Sequence, residues 1–111
     1  MKIVNFTKST VVGSDFKLAS SLQDKLLGLL SKDNSRCLLF KTRFGIHTFF
    51  LKEPIDIIVL DRSFKVVKVS TSVAPNRLFF WNPLNQFVLE LPQKNINLSQ
   101  TEVGDILKIQ L

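Results

Sequence analysis

The chain has 111 residues, 45% of them hydrophobic and 22% charged, enough for one domain with a single core and too apolar for a disordered segment. A lone cysteine, Cys37, excludes an internal disulfide, and ten Phe with one Trp and no Tyr place most aromatic rings, by expectation, in the core. The net charge of +6 is one-sided: residues 1–52 carry nine Lys or Arg against three acids, and residues 53–111 carry six of each.

A basic half attracts anionic partners, whether nucleic acid, membrane headgroups or a phosphorylated ligand. The cations stand singly, however, so an ordinary solvated surface is the plainer account. The segment from Met1 to Lys8 lacks the apolar run of a secretion signal. Nothing approaches the roughly 18 apolar residues that span a bilayer. One cytoplasmic domain over residues 1–111, with no membrane span, is the expectation.

In chain order, Ile3 to Phe6 reads as a first strand, and Val11-Val12 before Gly13 as a short pairing segment. Leu18, Leu22, Leu26 and Leu29 then recur at helical spacing, and Ser20 with Gln23 three residues on fits a capping box, which predicts a short helix near residues 20–30. From Cys37 the period changes. Cys37–Phe40, Ile46–Leu51, Ile55–Leu60, Phe64–Val69, Phe79–Trp81, Phe87–Leu91 and Ile106–Ile109 read as short strands separated by turn residues. Asp61-Arg62-Ser63 is a turn in which Asp can satisfy its own backbone. Many short strands and one helix predict a mainly β fold: an antiparallel sandwich or barrel, jelly-roll-like, with the helix covering an edge or open end.

Three segments resemble the family called domain of unknown function 192. They are Ala19-Ser20-Ser21-Leu22-Gln23-Asp24-Lys25-Leu26-Leu27-Gly28-Leu29-Leu30, then Ile46-His47-Thr48-Phe49-Phe50-Leu51-Lys52-Glu53-Pro54-Ile55-Asp56-Ile57-Ile58-Val59-Leu60-Asp61, and finally Phe87-Val88-Leu89-Glu90-Leu91-Pro92 with Val103-Gly104-Asp105. Gln93-Lys94 stands where the family has Ala-Gly, and Leu30 and Leu51 stand where it has Met. Leu for Met conserves volume and hence the fold. The resemblance implies a compact jelly-roll-like sandwich with a short helix, and it implies no reaction.

Strand alternation puts His47 on one face with Phe49 and Leu51, and Asp56 on one face with Ile58 and Leu60, each on an apolar side beside a chain reversal. A polar group there must find a partner or shift its pKa. Either His47 and Asp56 form an acid/base pair, with Glu90 a third member, or Asp56 accepts backbone N–H bonds around Lys52-Glu53-Pro54 or pairs with Arg77; the structural alternative is favoured. Arg77 and Phe79-Phe80-Trp81 make an aromatic-and-basic cluster outside the core. Three successive aromatics cannot all point inward, so one ring of this stretch faces solvent or a groove, unless the loop folds over an open end of the sandwich. One His and one Cys make a His/Cys zinc site or a cupin-like metal site untenable. Cys37 opens an apolar strand and reads as packing, and no Gly-rich phosphate loop occurs. A carboxylate cation site from Asp56, Asp61 and Glu90 would depend on geometry.

The reading is therefore a non-enzymatic binding module for a small ligand or a partner protein, with no cofactor. Its candidate surface is His47, Asp56, Arg77, Trp81 and Glu90. The alternatives are a nucleic-acid-associated basic protein and a small enzyme built on His47, Asp56 and Glu90.

Overall fold

The fold is taken from a computed structural model, which describes residues 2–14, 17–19, 37–41, 46–47, 53–85 and 87–110. Among the described residues, ten strands follow one another: β1 (Lys2–Asn5), β2 (Thr10–Ser14), β3 (Lys17–Ala19), β4 (Leu38–Lys41), β5 (Ile46–His47), β6 (Ile55–Leu60), β7 (Val66–Val73), β8 (Leu78–Phe79), β9 (Phe87–Pro92) and β10 (Leu107–Gln110). A short helix, α1 (Asn95–Ser99), lies between β9 and β10. The strands form a three-stranded sheet in the order β10-β1-β2, a five-stranded sheet in the order β3-β4-β9-β6-β7, and a two-stranded ribbon β5-β8. Pairing is antiparallel except between β3 and β4. The mainly β, two-sheet class expected from the sequence is the one observed, as a sandwich and not as a closed barrel.

The five-stranded sheet is buried on both faces, and the sequence of β6 shows why. Ile55-Asp56-Ile57-Ile58-Val59-Leu60 is an almost unbroken apolar run, which only a central strand covered on both sides can hide. One face carries Ile58, Leu60, Leu89 and Leu91 against Ile3, Val12 and Leu107 of the three-stranded sheet. The other carries Leu38, Ile57, Val59 and Val88, against which Phe79 and Trp81 pack.

The two sheets meet at a corner. The Gly104 and Val66 N–H groups donate to the carbonyls of Val66 and Asp105, and Leu107 N–H donates to Phe64 O. Gly104 turns the chain here with φ +100, a conformation that costs a residue with a Cβ and costs glycine little. Asp61-Arg62-Ser63 is the expected turn: Asp61 Oδ1 accepts the Ser63 and Lys65 N–H groups at 2.8 and 3.0 Å.

Two expectations change. The helix expected near residues 20–30 lies outside the described residues, but Leu18, assigned to its face by spacing, sits in β3 beside Leu39 of β4. Helix α1 was not anticipated, because its five residues are too few to display a period. Among the described residues the fully buried side chains are chiefly Ile, Leu and Val, and the side chains of Phe16, Phe40, Phe44, Phe49 and Phe50 lie outside them. Phe64, Phe79 and Phe87 pack on the rims of the two cores, while Phe6 and Phe80 are exposed. Sheets in close contact take branched aliphatic side chains, which stand upright from the pleat, and the broader rings collect where the layers diverge. No helix among the described residues is long and apolar enough to cross a membrane.

Candidate functional site

Asp56 is fully buried, and both of its carboxylate oxygens are used. Oδ1 accepts the Ser72 N–H and Oδ2 the Ile96 N–H, each at 2.9 Å. Ser72 has φ 52 in a strand, and α1 begins at Lys94 with φ 81 and no side-chain cap of its own. Asp56 thus supplies, from the neighbouring strand, the acceptor that both irregular segments lack. The backbone-bonded reading of Asp56 is the one observed, with partners from β7 and α1 in place of the Lys52-Glu53-Pro54 turn.

Glu90 lies on the opposite face. Its register partners are Ile57 of β6 and Leu38 of β4, both in the second core, and it is itself buried. Asp56 is level with Leu91, whose side chain belongs to the first core. A sheet therefore separates the two carboxylates, and the acid/base set of His47, Asp56 and Glu90 does not assemble. His47 pairs through its backbone with Leu78, and its side chain lies outside the described residues. No cluster of three His, Cys, Asp or Glu that could hold a metal exists among the described residues, which removes the Asp56–Asp61–Glu90 cation site. Cys37 is buried in the first core, where packing is its role.

His47, Arg77 and Trp81 do share one region. Alternation along β8 and its continuation turns Phe79 and Trp81 inward onto the second core, with ring centroids 5.9 Å apart. Trp81 is only half-buried, and its indole N–H donates to Asn85 O at 2.7 Å, which closes the loop beneath it. Leu78 and Phe80 consequently project outward, at 62% and 61% exposure, and Leu84 beyond them reaches 79%. Arg77 is exposed beside Leu78. Lys68 of β7 donates to Phe80 O at 3.1 Å and places its ammonium 4.7 Å from the centre of the Phe79 ring. The ring expected to face solvent is Phe80, while Trp81 anchors the loop over the sandwich. A shallow open depression lined by Asp61, Arg62, Ser63 and Leu84 adjoins this segment.

Sequence reasoning missed a second polar centre, at the far end of the first core. Asn5 is fully buried; its Nδ2 donates to Asp105 Oδ2 at 2.9 Å and to Thr101 Oγ1 at 3.1 Å, and its Oδ1 accepts the Lys8 N–H. Lys8 Nζ reaches Glu102 at 2.6 Å and Asp105 at 3.2 Å. Burial would raise the Asp105 carboxyl, but hydrogen bonds from Asn5, the Glu102 backbone and Lys8 outweigh it and hold the group below the usual carboxylate range. Chiefly its bond to Glu102 holds the Lys8 ammonium above its ordinary value. The signal was present: Asn5 follows Ile3 on the inward face of an apolar strand, and Asp105 closes Val103-Gly104-Asp105. Every member is engaged within this network, and it closes the corner between the sheets.

A family model described as "Uncharacterized ACR", domain of unknown function 192, matches residues 3–109. Relatives include the UPF0127 protein PH1112 of Pyrococcus horikoshii, 33% identical over 96% of both chains. The UPF0127 protein TK1120 of Thermococcus kodakarensis is 31% identical over 95% of this chain and 71% of its own. A crystal structure of a protein of unknown function from Novosphingobium aromaticivorans superposes with a TM-score of 0.79, at 16% identity, over 98% of this chain and 84% of that one.

Proposed function

Because the chain belongs to the domain of unknown function 192 family, which prescribes no reaction, we propose from its own surface that it is a non-enzymatic binding module for a partner protein. The contact surface is the outward side of the β8 segment: Leu78, Phe80 and Leu84, with Arg77 and Lys68 beside them. The observation that carries this reading is three large apolar side chains, each more than three-fifths exposed, within seven residues of chain that is itself anchored by Trp81. Exposed apolar groups held on a rigid support and rimmed by cations are the composition of a protein contact. The adjoining depression is open and shallow, which favours a protein side chain or short peptide over an enclosed small ligand. With cations at Arg62, Lys68 and Arg77, the complementary partner is an apolar segment with acidic flanks.

Selection from a random peptide library on the immobilised protein tests this. Peptides pairing Leu, Phe or Trp with Asp or Glu are expected, and Phe80→Asp and Leu84→Asp abolish their binding while Arg77→Glu weakens it. Binders indifferent to all three substitutions, or no binders, overturn the proposal. Asp56→Asn separates scaffold from site: it is expected to lower stability and leave affinity unchanged.

A further inference from the structure

The three-stranded sheet covers the first core with its inner face only. In β1, Ile3 and Asn5 point inward and are fully buried, so Lys2, Val4 and the following Phe6 point outward. Register places Lys108 of β10 opposite Val4, Gln110 opposite Lys2, and Val11 of β2 on the other side of Val4. The outer face is therefore Lys2, Val4, Phe6, Val11, Lys108 and Gln110, with Phe6 61% and Val11 49% exposed. The Lys108 ammonium stands 3.8 Å from the centre of the Phe6 ring. The three strands contain no Asp or Glu. Of the acids flanking these strands, Glu102 and Asp105 share the Lys8 ammonium in the polar corner, and Asp15, next after β2, lies outside the described residues.

We propose that this face binds single-stranded nucleic acid, with a base stacked on Phe6 and backbone phosphates met by Lys2 and Lys108. An exposed aromatic ring on an open sheet, flanked by cations and free of carboxylates, supplies both parts of non-specific single-strand recognition: a π face that accepts any base, and positive charge spaced along the strand. Charge complementarity selects this occupant. The chain carries +6 overall, and an acid-free face repels nothing on a polyanion. The proposal is independent of the β8 contact, which covers the opposite face of the five-stranded sheet.

Fluorescein-labelled oligo-uridylate and oligo-deoxythymidylate, titrated by anisotropy at low salt, provide the test, and the two probes separate RNA from DNA. Two neutralised phosphates predict a log–log salt slope of about −1.4, or about a sevenfold loss of affinity between about 50 and about 200 mM salt. Phe6→Ala weakens binding about tenfold or more, Phe6→Trp retains it with quenching of the new indole emission, and Lys108→Gln lowers the slope by about 0.7. Phe80→Asp leaves all of this unchanged. The proposal is overturned if neither oligonucleotide binds at low salt or if Phe6→Ala, verified as folded by its melting curve, binds as the parent does. Binding only to anionic lipid vesicles, with the oligonucleotides inert, overturns it as well.

Discussion

Asp56→Asn isolates the contribution of one buried carboxylate to this fold. The substitution keeps shape and volume but turns one oxygen into an NH2 group that faces a backbone N–H. One of two charge-assisted bonds, to Ser72 or Ile96, is lost, and two donors meet. Bonds to an ionised acceptor contribute about 1.5–3 kcal/mol each, so Asn costs about 2–3 kcal/mol. Asp56→Ala removes both acceptors, strands the Ile96 N–H in the interior and the Ser72 N–H at a partly buried position, and costs about 3–5 kcal/mol. At this chain length 1 kcal/mol moves the midpoint by about 4 °C, so Tm falls by about 10 °C for Asn and about 12–20 °C for Ala. Thermal melting followed by circular dichroism measures both. Amide hydrogen exchange adds a local reading, since protection at Ser72 and Ile96 should drop more than elsewhere in β7 and α1. Midpoints within about 2 °C of the parent, or protection unchanged at both amides, would refute the assignment of Asp56 as the clamp between β6, β7 and α1.

Three further outcomes follow from the packing. A Cβ at Gly13 would overlap Cys37 Sγ and meet Leu91 Cδ2 at 3.2 Å, so Gly13→Ala should cost about 1–3 kcal/mol in urea unfolding, and adding Cys37→Ala should recover part of it. Asn5→Ala leaves Thr101, Asp105 and the Lys8 amide short of a partner and should cost about 2–4 kcal/mol, whereas Glu102→Gln, which removes one end of an exposed ion pair, should cost less than about 1 kcal/mol. The depressed Asp105 carboxyl fixes a sign in pH: its stabilisation is complete at neutral pH, declines once pH falls below the ordinary value near about 3.9, and vanishes only below the lower folded value. Asp105→Asn should therefore flatten the acid limb of a stability–pH curve, and an unchanged limb would contradict the network.

The strands were legible because their alternation is a local property. Ile55–Leu60 was read with its observed limits, and most others fell within two or three residues. Leu18 went astray because leucines four apart satisfy a helical period, while its pairing with β4 is a contact across twenty residues that no local pattern encodes. The same limit governs the candidate residues. Alternation correctly gave Asp56 the company of Ile58 and Leu60, and Glu90 that of Val88. Whether those two faces are one or opposite depends on how β9 registers against β6, which appears only once Ile57 is seen level with Glu90. Phe80 was implied by three aromatics in a row, but the choice among them rests on Trp81 finding Asn85 O. Helix α1 was invisible for a related reason, since its first turn is secured by a carboxylate forty residues earlier in the chain.

Placement of polar groups bears on function as well as on stability. A catalytic acid or base needs an oxygen or nitrogen left available to substrate, yet Asp56 has given both oxygens to backbone amides and Asp105 is surrounded by Asn5, Lys8 and the Glu102 amide. Each is held at a junction: Asp56 where β6, β7 and α1 meet, Asp105 where the two sheets join. Asp56 and Asp105 are thus used to fix irregular backbone. The outward-facing side chains that stand out do so for a single reason. Phe6 and Phe80 are large rings on well-anchored backbone, placed where alternation obliges them to face water, and a fold with no use for them could substitute a polar residue at either position without loss. Phe6→Ser and Phe80→Ser should accordingly leave the melting midpoint within about 2 °C of the parent. A larger fall in either would return that ring to the scaffold and remove the surface built on it.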